Sequence, residues 1–113
     1  MAYNISELKS IQVLEVSTLY NEFDNRIILN DVESRIERGL NKFIVDLSNL
    51  DFMNSVGLNF MISIMTKSRN SGGDVAVANA SEQVLNLLEI TKLRTMFTLR
   101  PTVEDAIRVF NSN

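Results

Sequence analysis

Ser55 is the residue of this 113-residue chain best placed to do chemistry. It follows Asn54, at the point where a short apolar run, Phe43-Ile44-Val45-Asp46-Leu47, has given way to Leu58, Met61, Ile62 and Met65 at helical spacing. The pattern predicts strand, tight loop, helix, with Asn54 as N-cap accepting from the amide of Val56 or Gly57. A hydroxyl in the first turn of such a helix lies among free backbone N–H groups at the positive end of the helix dipole. It can serve as a cap, or it can accept a phosphoryl group from a protein kinase. A phosphate there brings about −1.5 to −2 charges and three acceptor oxygens to one small spot. The dipole offsets part of that charge, by ~0.3–1 kcal/mol at exposed sites. The fold should survive the modification, whereas a partner docked over the same spot should not.

Other chemistry finds little material. The chain holds no His and no Cys, which removes imidazole bases, thiol nucleophiles, disulfides and nearly every zinc or copper site. A small hydrolase or nucleotide-binding enzyme would have to be built from Asp46, Asp51 and Ser55. Asp46, Asp51 and Asp74 fall at or near predicted strand ends, where α/β sites gather. Asp46 interrupts an apolar strand and reads first as a carboxylate hydrogen-bonded to a neighbouring loop. Lys67 falls near the far end of the Ser55 helix, out of reach as its base. Gly72-Gly73 follows a helix, and no Gly-Lys-Ser/Thr sequence is present, so no phosphate-binding loop is expected. No catalytic activity, cofactor or metal is expected. Met53, Met61, Met65 and Met96 read as core or gap-filling residues, with Met53 set apart by its place just ahead of the cap.

The elements that must position Ser55 follow from periodicity. Residues 3–8 and 11–17 read as strands joined by a turn at Lys9-Ser10. Asn21, with Asp24 three residues on, starts a helix running to about Arg38, its apolar stripe made of Ile28, Val32, Ile36 and Leu40 with Leu29 beside it. Gly39 stops it. The helix from Asn54 to about Arg69 ends at Ser71-Gly72-Gly73, and residues 74–78 form a strand with valines on one face and alanines on the other. Ser81 caps a helix carrying Val84, Leu87, Leu88 and Thr91. Residues 95–99 read as a last strand, and Thr102 with Asp105 starts a closing helix packed through Val103, Ala106, Ile107 and Phe110. The order β-β-α-β-α-β-α-β-α predicts an α/β domain with parallel neighbours in its sheet, one domain over residues 1–113. Apolar residues make up 45% and charged residues 22%, an ordinary globular composition. The net charge of −3 without a Lys/Arg cluster argues against nucleic acid or an anionic membrane as partner. No early apolar run resembles a signal peptide and none approaches the ~20 residues that span a bilayer, so a cytoplasmic location is expected.

The block Ile44-Val45-Asp46-Leu47-Ser48-Asn49-Leu50-Asp51-Phe52-Met53-Asn54-Ser55-Val56-Gly57-Leu58 resembles the strand, loop and helix start of the STAS domain, the domain of sulfate transporters and anti-sigma factor antagonists. Gly73 leading into the strand at 75–78, and Val84-Leu85-Asn86-Leu87-Leu88 followed by Phe97, support the resemblance, which runs from about Ile11 to Phe110. It implies a small mixed sheet with about four helices packed mainly on one face. It also implies a bacterial anti-sigma factor antagonist that regulates transcription by partner switching. Its partner would be both anti-sigma factor and serine kinase, and a phosphatase would reset it. Carried over by position, Ser55 is the phosphorylation site, with Met53, Asn54, Val56, Gly57 and Leu58 as contact residues. A second member type, a constitutive subunit docked on the ATPase of a lipid-transport ABC system, is the alternative. The chain departs from the family pattern at four positions. Asn54 replaces an acidic residue, Val56 replaces a Ser or Thr, and Ser17 and Tyr20 stand where a Gly and an acidic residue are common.

Overall fold

Two antiparallel strands, β1 (Tyr3–Leu8) and β2 (Ile11–Val16), open the computed structural model, which describes residues 3–111. Lys9 and Ser10 between them have φ of 52° and 70°, and a two-residue turn with both φ positive matches the twist of the flanking strands. The remaining elements are α1 (Glu22–Glu37), β3 (Lys42–Asp46), α2 (Ser55–Asn70), β4 (Asp74–Ala78), α3 (Glu82–Ile90), β5 (Thr98–Arg100) and α4 (Val103–Asn111). The sheet order is β1-β2-β3-β4-β5, with β2 to β5 parallel. Each crossover is one helix and each advances the sheet in the same direction. Right-handed connections therefore place α1, α2 and α3 on one face. Because the strand order never reverses between β2 and β5, the sheet has no switch-point crevice of the kind in which open α/β sheets bind ligands.

Strand side chains divide cleanly between the two faces. Leu14, Val16, Phe43, Val45, Val75 and Val77 pack with Ile28, Val32, Met61, Ile64, Val84 and Leu88 of the three-helix layer. Ile11, Val13, Ile44, Ala76 and Ala78 pack on the other side with Ala106 of α4. Burial on both faces explains why the central strands read as near-continuous apolar runs. Gln12, on the three-helix side, is fully buried, yet its Oε1 accepts from Arg35 Nη1 at 2.6 Å and its Nε2 donates to Glu7. Arg35 also pairs with Asp31, which accepts from the Tyr3 hydroxyl. This chain of bonds fastens the β1–β2 hairpin to α1.

The structure departs from the sequence expectations in three places. α2 buries Phe60 and Ile64 as well as Leu58, Met61 and Met65, because it packs against α1 as well as the sheet, and one stripe does not cover both contacts. Residues 94–96 form a 3₁₀ turn, and the last strand starts only at Thr98. Lys92 at φ 61° ends α3, Leu93 N–H closes back on Leu88 C=O, and Met96 N–H bonds to Leu93 C=O. Met96 is thereby exposed rather than in the core. Gly73 is needed for proximity, since a Cβ there would lie 1.9 Å from the Asn41 carbonyl oxygen.

Candidate functional site

The start of α2 is shaped by Asn54. Its extended backbone (φ −113°, ψ −169°) turns the side chain over the helix end, where Oδ1 accepts from Val56 N at 3.0 Å and Gly57 N at 3.3 Å. Of the two residues able to satisfy those amides, Asn54 does so. Among the described residues the Ser55 hydroxyl makes no hydrogen bond, and the residue is exposed. The other expected contact residues divide by depth. Asn54 and Val56 are half-buried, while Met53, Gly57 and Leu58 are buried and hold the turn from beneath. A Cβ at position 57 would lie 2.5 Å from Met53 Cγ and 3.3 Å from Leu19 Cβ, so glycine lets the helix start settle onto the loop. Val56 borders a cleft of about 140 Å³ between α1 and α2, shared with Asn25, Leu29 and Phe60.

The neighbouring loops are tied to one another. Asp46 Oδ1 accepts from Ser48 N and from Asn79 Nδ2, as a structural carboxylate does. Asn49 Nδ2 donates to Glu15, Ser81 Oγ donates to the Asp51 carbonyl, and buried Asn25 donates to the Leu19 carbonyl. Asp74 pairs with Arg69 at 2.8 Å and opens β4, at the opposite end of the parallel sheet from Asp46. The three carboxylates thus form no common site with Ser55. Lys67 pairs with Glu33 at 2.8 Å. Among the described residues no group of three or more acidic, His or Cys side chains is arranged to hold a metal ion, and no helix is long and apolar enough to cross a membrane.

Two surface features escaped the sequence reading. Phe52 and Tyr20 are about half exposed, and their rings meet with centroids 5.8 Å apart; Phe23 is 73% exposed. Aromatic residues in loops and in a first helical turn were the available signal, but periodicity gives no account of residues outside a repeat. The second feature is charge. The segments after β2, β3 and β4 (residues 15–26, 46–57 and 79–83) carry Glu15, Glu22, Asp24, Asp46, Asp51 and Glu82 against Arg26 alone. Parallel topology gathers these segments at one end of the sheet, around Ser55. Helix N-termini favour acidic residues through the dipole, and here the preference of separate helices accumulates on one surface.

The profile of the STAS domain matches residues 5–106. The chain belongs to the STAS domain family. A candidate anti-sigma factor antagonist of Thermotoga maritima is 26% identical over 72 residues, 64% of this chain and 64% of that relative's own length. The crystal structure of a candidate anti-sigma factor antagonist from the same organism superimposes with a TM-score of 0.84 at 20% identity, over 94% of this chain and 92% of that one. The anti-sigma factor antagonist SpoIIAA in its unphosphorylated form gives 0.83 at 18% identity, over 99% and 98%. Bacillus SpoIIAA in its phosphorylated form gives 0.74 at 17%, over 96% and 99%. At these identities the structural likeness is one of fold. The STAS fold, a five-stranded mixed sheet with three helices on one face and α4 on the other, is the architecture that the resemblance implied.

Proposed function

We propose that this STAS protein is a cytoplasmic anti-sigma factor antagonist that acts by partner switching, as a single domain over residues 1–113. It works by binding rather than by catalysis. Unmodified, it docks an anti-sigma factor that is also a serine kinase; phosphorylation of Ser55 releases that partner, and a phosphatase restores binding. One observation carries the reading: Asn54 caps α2, which leaves the Ser55 hydroxyl exposed and unbonded at a helix N-terminus. An acceptor hydroxyl engaged in capping would have to break that bond to react, and this one would not. The relatives named as anti-sigma factor antagonists support the general role. Asn54, Ser55 and Val56 supply the outward contacts, and Met53, Gly57 and Leu58 hold them in place.

Intact-mass analysis of the protein purified from its own cells, with the modified peptide mapped, tests the acceptor. One phosphate on Ser55 is expected, and its absence under every growth condition would remove the switch. Pull-down with the kinase-like protein of the same regulatory system tests the consequence. Equal capture of wild type and Ser55→Glu would overturn the release step. A second reading is favoured by the lack of any acidic residue in the first turn of α2: constitutive docking on the ATPase of a lipid-transport ABC system, without phosphorylation. Co-purification with an ATP-binding subunit, from cells in which Ser55 carries no phosphate, would select it.

A further inference from the structure

Two depressions lie side by side on the α3 flank of the acidic end and share Gln83 and Asn86, which stand one helical turn apart. The first, about 390 Å³, is walled by Phe52, Leu87 and Ile90. The second, about 520 Å³, is bordered by Asp51 and Glu82. Ile90 is 79% exposed, because α3 turns Val84 and Leu88 into the core instead. Among the described residues neither Asp51 nor Glu82 takes part in an ion pair. An apolar hollow and an anionic one therefore adjoin along α3, on the end of the molecule where the six carboxylates of the segments after β2, β3 and β4 face Arg26 and, at the end of β5, Arg100.

We propose that this pair of hollows receives a helical segment of a protein partner carrying an apolar residue and a lysine or arginine at i and i+3 or i+4. That spacing sets two side chains about 5–6 Å apart on one helix face. The apolar side chain fills the hollow between Phe52, Leu87 and Ile90, and the cation settles against Asp51 and Glu82. Charge complementarity decides the sign: an acidic segment is repelled from this end, and a wholly apolar one leaves the two carboxylates unmatched. The inference rests on the reading that the Ser55 end is where this protein docks its partner, and it extends the docking surface from α2 across to α3.

The test titrates the full-length ¹⁵N-labelled protein with two synthetic helical peptides, identical except that Leu is followed at i+4 by Lys in one and Glu in the other. The Leu/Lys peptide is expected to shift the amide signals of residues 51–53 and 82–90. Its affinity should weaken roughly threefold or more between about 50 and 300 mM salt. Ile90→Asp and Glu82→Lys, both at exposed positions that leave the fold intact, should each weaken it about fivefold or more. Equal binding of the two peptides, shifts confined to another surface, unchanged affinity of both variants, or no binding of the Leu/Lys peptide at millimolar concentration would each overturn the proposal. The anti-sigma factor of the same regulatory system separates the two readings. If it binds wild type and Ser55→Glu alike but is lost from Ile90→Asp and Glu82→Lys, the groove stands and the switch fails. If Ser55→Glu releases it while both groove variants bind as wild type, the switch stands and the groove fails.

Discussion

Replacing Asn54 by Asp should stabilise this protein, and replacing it by Ala should do the opposite. The Asp side chain keeps the geometry that accepts from Val56 N and Gly57 N at 3.0 and 3.3 Å. It adds a full negative charge to a helix N-terminus whose first turn has no acidic residue, worth about 0.3–1 kcal/mol. Asp51 and the other carboxylates of this end oppose the new charge and hold the gain to the lower half of that range. Ala deletes both bonds and costs about 0.5–2 kcal/mol. For a domain of this size the changes correspond to a Tm roughly 1–4 °C higher for Asp and roughly 2–10 °C lower for Ala. The charge also sets a pH signature. An Asp at 54 is favoured in its ionised form by the dipole and two N–H donors, so its folded-state pKa lies below the ~3.9 of an unfolded chain. Its extra stability is then full above that value and is lost as pH falls through the folded-state pKa, so Asp and Asn proteins should converge near pH ~2–3. Urea and thermal denaturation of the three proteins at neutral and acid pH supply the comparison. An Ala variant as stable as wild type, or an Asp variant less stable at neutral pH, would mean that Asn54 is not the working cap. Ser55 itself would then be the remaining candidate for the cap and would not be free to react.

Two further outcomes test the scaffold. Gly73→Ala drives a Cβ to 1.9 Å from the Asn41 carbonyl oxygen, beside the Asp74 N–H bond that starts the β3–β4 pairing, and should cost about 3 kcal/mol. Gly39→Ala meets open space at φ 87° and should cost only the backbone strain of about 1–2 kcal/mol; equal losses in urea denaturation would show that the close approach at Gly73 is relieved at little cost. Tyr3 has a raised pKa, through burial first and then its hydrogen bond to Asp31. A raised value favours the protonated phenol in the fold, so its contribution is full below the ordinary ~10 and is lost as pH rises through the folded-state value. Wild type should therefore lose its advantage over Tyr3→Phe above pH ~10, and a stability difference constant across alkaline pH would contradict this.

What the sequence disclosed was what short-range physics controls. The Asn54 cap, the Lys9-Ser10 turn, the Gly39 stop and the valine and alanine faces of β4 depend on neighbours within a few residues, and all four appear as expected. What stayed hidden depends on partners far along the chain. Gly57 looks like a weak residue for a helix until Met53 and Leu19 close over it. Phe60 and Ile64 break a single-stripe pattern because α1 supplies a second wall. Gln12 is a polar strand residue whose complete burial depends on Arg35, 23 positions away. The acidic end is likewise invisible in a chain whose acidic residues lie in separate segments; only the parallel topology collects them around Ser55.

That charge pattern also constrains how modification of Ser55 can release a partner. A phosphate there adds about −1.5 to −2 charges to a surface that is already negative, which by itself strengthens the pull on a basic segment seated near α3. At a separation of about 10 Å in water the pull amounts to less than ~1 kcal/mol, and salt at physiological strength screens most of it. Burying the same dianion beneath a docked partner costs several kcal/mol, and salt does little to relieve that cost. Release therefore requires Ser55 to lie inside the contact rather than on its rim. The two effects respond differently to salt, which makes them separable. As salt rises from about 50 to 300 mM, wild type and Ser55→Glu should both lose affinity for the partner. The ratio between them should stay constant or grow, because the attraction that partly compensates Ser55→Glu is screened first. A ratio that shrinks toward one would mean that release arises from repulsion by an acidic partner surface, and it would reverse the sign of the complementarity assigned to this end.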